Sequence, residues 1–121
     1  ARQALETLKI SADVDSDIIS CGGGGFRSQA WTQIRADVLN KTLQRLTSGE
    51  PGISGAVTLA AIGTGIYSNF EEASTALSQY SAPSIPDPKQ VEIYASVFEI
   101  YKDAIKANAN IGKRLTHLGE G

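Results

Sequence analysis

The chain has 121 residues, 41% of them apolar, and a net charge of −2, which suits one domain with a single core and excludes both a disordered chain and a strongly basic nucleic-acid binder. Its eleven Lys and Arg are scattered, its longest apolar run (residues 56–62) falls far short of the roughly 20 residues of a membrane span, and no charged-then-apolar leader opens it, so we expect a soluble, cytoplasmic protein without nucleic-acid or membrane partners. One cysteine, Cys21, and one histidine, His117, leave no internal disulfide and no metal cluster.

Residues 1–10 place Ala1, Ala4, Leu5 and Leu8 at helical spacing. With no methionine at the start or anywhere else, the chain reads as a piece of something longer. Residues 11–15 are polar and turn-like, and 17–21 form a short buried strand. That strand empties into four consecutive glycines, 22–25, and then a helix. Glycine lacks a Cβ, so such a bend lets a ligand approach bare backbone, and the first amides of the following helix are free to meet phosphate oxygens. From about Ser28 to Leu39 the set Ala30, Trp31, Ile34 and Val38 predicts one inward stripe, with Gln29, Thr32 and Arg35 on the opposite face. Residues 42–46 predict a second strand. Residues 52–65 predict a helix whose small residues Gly52, Ala56, Ala60 and Gly63 would let another backbone pack closely.

Ser68 and Glu71 have capping-box spacing and predict a helix to about Leu77. Residues 82–88 hold three of the four prolines and predict a loop. Asp87, Pro88 and Gln90 then start a helix whose inward face is Val91, Tyr94, Phe98, Tyr101 and Ile105. Residues 108–121 are expected to be a flexible tail. Two short strands make a poor sheet, so their edges are expected to stand open to pairing with a second copy of the chain, as a homo-oligomer.

The glycine bend fits none of the common phosphate-binding patterns. Arg27 stands where a dinucleotide fingerprint needs its third glycine, and no acidic residue closes a second strand. There is no lysine for a Walker loop, and Ser28 is not flanked by glycines as a nucleophile elbow requires. By itself the bend is equally a tight strand-to-helix connection.

The extended pattern is more specific. Gly22-Gly-Gly-Gly-Phe-Arg-Ser28, then Trp31, Gln33 and Ala36-Asp37-Val38-Leu39, then Gly55-Ala56 opening Gly-Ala-x-x-x-Ala-Ala, and Gly65-Ile66-Tyr67 with Glu72-Ala73, resemble the C-terminal domain of the FGGY carbohydrate kinases, xylulokinase-like members above all. The resemblance covers about residues 16–107. Asn40 and the pair Ile53-Ser54 depart from the family pattern. It implies an α/β fold of the ribonuclease-H-like, actin-like ATPase type, present as a helix-rich C-terminal fragment with few strands, in which residues 1–107 belong to the second, nucleotide-binding domain. It implies ATP and a sugar or polyol as ligands and Mg held mainly by residues outside the chain. By position Gly23, Gly24, Gly25 and Ser28 are the implied nucleotide contacts. The family's catalytic aspartate and γ-phosphate contacts have no counterpart here, so the chain alone is expected to be inactive.

Single residues have plainer expectations. Arg27 is an exposed arginine more readily than a phosphate ligand, Trp31 belongs to the core rather than to an adenine stack, and Cys21 is an apolar filler. Gln33 and Asp37 bond each other or a nearby loop. His117 is expected at the surface. The other readings left open are a non-catalytic nucleotide-binding or protein-interaction module and, with less support, a dinucleotide-binding domain.

Overall fold

A computed structural model describes residues 1–47 and 50–118, apart from the side chains of Asn110, His117 and Leu118; the surface position expected for His117 thus lies outside the described residues. The chain runs α1 (Arg2–Ala12), β1 (Ile18–Cys21), a 3₁₀ turn (Gly24–Phe26), α2 (Gln29–Leu39), β2 (Thr42–Arg45), α3 (Pro51–Gly63), α4 (Phe70–Leu77) and α5 (Pro88–Leu118). Among the described residues it is a helix-rich α/β arrangement with two strands.

The strands are parallel, with Ile18 opposite Thr42 and Cys21 opposite Arg45. A parallel pair requires a crossover, and α2 supplies it. Ser28 caps α2, its Oγ accepting the Trp31 N–H at 3.3 Å, and Asn40 ends it in the left-handed region at φ 50°, a conformation that asparagine tolerates better than most residues. Leu43 of β2 is fully buried. The outer edge of β2 is not open, contrary to expectation. Leu43 and Ser84 exchange N–H···O bonds of 3.0 and 2.9 Å, and the Ser81 N–H donates to Arg45 O at 2.9 Å. Proline is tolerated at a sheet edge when its neighbours carry the pairing, and Ser81 and Ser84 stand beside Pro83 to do so.

The inward stripe expected on α2 is corrected. Thr32, Ala36 and Asp37 are the buried residues, because α2 is wedged against β2 and α5, where small side chains allow close approach. Trp31 is 49% exposed and lines an open apolar groove with Leu8, Ile34, Val38, Val97 and Phe98, so it is not a core residue. The small-residue stripe of α3 is corrected as well. Thr58 and Ala61 are its buried positions, the helix packs against α4, and a Cβ on Gly52 or Gly63 would meet nothing within 4 Å.

The cap of α4 lies one residue later than the spacing suggested. Asn69 Oδ1 accepts the Glu72 N–H at 2.9 Å, and Glu72 Oε2 accepts the Ser68 N–H at 2.9 Å. Asp87 caps α5 as expected, with Oδ1 accepting the Lys89 N–H at 2.9 Å. Of the inward face expected on α5, Phe98 is buried, Val91 and Tyr94 are half-buried, and Tyr101 and Ile105 are exposed. The segment expected as a tail is helical as far as Leu118, since it contains no proline and its one interior glycine, Gly112, costs a helix only about 1 kcal/mol.

Helix α1 buries none of its residues. Arg2 Nη1 donates to Val38 O at 3.4 Å, and the Arg2 guanidinium lies 4.5 Å from the centre of the Phe98 ring. At the other end Asp15 accepts from Lys9 at 2.6 Å and from Lys41 at 2.7 Å.

Candidate nucleotide-facing loop

Because β1 and β2 are parallel, their carboxyl ends open on the same edge, the side on which open α/β sheets hold ligands. Past Cys21 the chain enters the glycine bend, and past Arg45 it continues through Leu46 and Thr47 to Glu50 and α3. The bend is fixed by its own turn bonds. Phe26 N–H donates to Gly23 O at 3.1 Å and Arg27 N–H to Gly24 O at 3.3 Å.

Each glycine answers a different demand. A Cβ on Gly22 would lie 2.5 Å from Cγ of Pro51, so this glycine lets the first turn of α3 lean on the end of β1. Gly23 has φ 85°, open to glycine at no steric cost. Beyond Gly23 and Gly24 there is open space, with nothing within 4 Å of a Cβ at either position. Gly25 sits beneath Arg35, whose Nη1 donates to Gly25 O at 3.0 Å and whose guanidinium lies 4.4 Å from the Phe26 ring centre and 5.3 Å from that of Trp31. Arg35 therefore pins the bend to α2 by one charge-assisted bond and two cation–π contacts.

A cleft of about 380 Å³ opens beside the bend, lined by Gly23, Arg27, Arg45, Leu46, Thr47 and Glu50. Arg27 Nη2 and Glu50 Oε1 stand 3.7 Å apart across it, both well exposed. Of the four residues singled out from the sequence, Gly23 lines the cleft, Gly24 follows it into open space, Gly25 is braced from behind, and Ser28 spends its hydroxyl oxygen as the helix cap. Cys21 is half-buried; its Sγ–H donates to Gln44 O at 3.6 Å, and burial pushes its thiol pKa up. Gln33 Nε2 donates to Asp37 Oδ1 at 2.9 Å and to Ile85 O at 2.8 Å, and Asp37 Oδ1 also accepts the Asp87 N–H at 2.9 Å. These two side chains tie α2 to the start of α5, as their spacing suggested.

Sequence reasoning missed Arg35, Arg45, Thr47 and Glu50. For Arg35 a signal existed, since Trp31 lies one helical turn before it and arginine favours an aromatic face. The others are united only by the parallel register of the strands. Among the described residues no group of three His, Cys, Asp or Glu could hold a metal ion, and no helix is long and apolar enough to cross a membrane.

Residues 1–64 match the C-terminal domain of the FGGY family of carbohydrate kinases. The xylulose kinase of Lactococcus lactis subsp. lactis is 33% identical over 100 residues, covering 81% of this chain and 20% of that protein. The L-xylulose/3-keto-L-gulonate kinase of Escherichia coli is 33% identical over 85 residues, covering 70% of this chain and 17% of that protein. Among solved structures, xylulose kinase from Rhodospirillum rubrum superposes with a TM-score of 0.73 at 28% identity, over 91% of this chain and 22% of that one. Gluconate kinase from Lactobacillus acidophilus gives a TM-score of 0.74 at 21% identity, over 85% of this chain and 21% of that one, a likeness of fold. The chain thus spans about a fifth of the length of the relatives it matches.

Proposed function

Since the chain belongs to the FGGY family of carbohydrate kinases, matching its C-terminal domain, we propose that its glycine bend receives the adenosine and α-phosphate end of ATP in a longer enzyme that phosphorylates a sugar or polyol hydroxyl. Its fold is a C-terminal fragment of the actin-like ATPase fold. The observation that carries the reading is the unobstructed backbone of Gly23 and Gly24 at the carboxyl edge of two parallel strands. A nucleoside placed against that backbone would have Thr47 and Glu50 as hydrogen-bond partners on the facing wall and Arg27 as a planar cation at the rim. Exposed amides at the bend suit phosphate oxygens, and the following helix adds the favourable end of its dipole.

Phosphoryl transfer rests on positioning and on electrostatic stabilisation of the moving group. This chain supplies the first in part. A general base, the γ-phosphate contacts and the residues that would hold Mg belong, on this reading, to upstream sequence, and no carboxylate trio among the described residues fits a metal. The cation would supply charge neutralisation at the phosphates. The work of this chain's residues is to hold the base and sugar of the nucleotide against a rigid, arginine-braced bend.

Gly24→Val is the discriminating substitution. Position 24 has open space and a φ outside the positive region, so the protein has no internal reason to resist the new side chain. In the protein extended upstream to the length of its relatives, calorimetric titration with ADP should show affinity reduced by about tenfold or more, with the urea unfolding midpoint nearly unchanged. Equal ADP affinity in the two proteins overturns the proposal and favours a non-catalytic interaction module on the same backbone.

A further inference from the structure

A second cleft, of about 260 Å³, shares Arg27 and Arg45 with the first but opens between the start of α2 and the 81–84 segment. No carboxylate lines it. Arg45 is half-buried there and, among the described residues, has no acidic partner, while Arg27 has only the long contact to Glu50. The other polar groups of the lining are mostly satisfied within the protein. Thr32 Oγ1 donates to Ser28 O, Gln33 Nε2 to Asp37 and Ile85, and the Ser81 hydroxyl to Ala82 O. Among the described residues, the lining side chains left without a hydrogen bond inside the protein are the Arg45 and Arg27 guanidiniums, the Gln29 amide and the Ser84 hydroxyl, and Phe26 and Pro83 line the same cleft.

We propose that this cleft binds a small phosphate-bearing metabolite beside the nucleotide cleft, with which it shares Arg45 and Arg27, the two arginines gripping the phosphate. A guanidinium without a carboxylate partner is matched by an oxyanion, and planar donors fit phosphate bidentately. The apolar part of the lining, Phe26, Ala82 and Pro83, leaves room for a short organic group on that phosphate. Because the two arginines also line the nucleotide cleft, an occupant here would alter the charge that the nucleotide meets.

The test is calorimetric titration of the full-length protein, held in saturating ADP, with inorganic phosphate in one arm and ribose 5-phosphate in the other. Two substitutions change residues that line this cleft and not the nucleotide cleft. Gln29→Glu sets a carboxylate beside the guanidiniums and, at the first position of a helix, favours the dipole; Ala82→Leu fills the space. Binding that both substitutions weaken by about tenfold, with ADP still bound, is the expected result. Tighter binding of the sugar phosphate identifies a phosphate monoester as the occupant, and equal binding identifies free phosphate. No binding at about 10 mM, or binding that survives either substitution, overturns the proposal. Because ADP binding is read separately, failure here is distinct from failure of the glycine bend as a nucleotide site.

Discussion

Replacing Gly22 by alanine should unfasten the end of β1 from α3. The new Cβ would lie 2.5 Å from Cγ of Pro51, 3.6 Å from its Cδ and 3.7 Å from its Cβ. Saturated carbons rest about 3.5–4.0 Å apart, so the proline ring must retreat by about 1 Å. Pro51 is the first residue of α3, and its movement carries the helix start with it. Overpacking of this kind costs about 1–3 kcal/mol. Gly24→Ala is the matched control two positions on. It meets nothing within 4 Å and needs no positive φ, so the loss of chain freedom in the unfolded state should stabilise it by about 0.4–1 kcal/mol. Urea unfolding of the two variants, with unchanged slopes, should therefore show shifts of opposite sign separated by about 1.5–4 kcal/mol. A Gly22→Ala protein as stable as Gly24→Ala would refute the packing of α3 against the bend.

Asp37→Ala removes the acceptor of the Asp87 N–H, whereas the Gln33 amide keeps its bond to Ile85 O; the expected loss is about 1–3 kcal/mol. Asp37→Asn retains an Oδ1 acceptor and should lose less, with amide exchange at Asp87 as the direct readout; equal losses would refute this. Asp15 is held at about 2, below its ordinary 3.8, first by the hydrogen bond from Lys41 and then by that from Lys9. A depressed folded value means that its contribution is complete above pH 3.8 and is lost as pH falls toward 2. Carbon-13 titration of its carboxyl should show the low midpoint, and Lys41→Met should raise it. A midpoint near 3.8 in the unaltered protein would refute the pairing.

The positions of the strands, the glycine bend and the Asp87 cap were legible because each is a local signal, a short run of β-branched residues, a glycine cluster or a capping carboxylate before a proline, although β1, expected to be buried, is exposed or half-buried along its length. The orientation of α2 was not. Apolar periodicity marks which face of a helix is oily, yet Thr32 and Ala36 are buried because their small size fits the space beside β2, and Asp37 is buried because Gln33 and the Asp87 amide satisfy it. The helix α3 misled for a related reason, as its small residues permit close packing without supplying a neighbour. At the site, Arg45, Thr47 and Glu50 come from the far strand and join Gly23 only through the Ile18–Thr42 register. A spacing along the chain holds no record of that register.

Helix α1 is moored by charge rather than by packed carbon. Arg2 reaches over Phe98 at one end, and Asp15 joins Lys9 to Lys41 at the other. At 1 M salt the Debye length shrinks to about 3 Å, so these ties slacken while the Leu43 core between the strands does not. Raised ionic strength therefore acts on the contacts that hold α1 before it acts on the packed core.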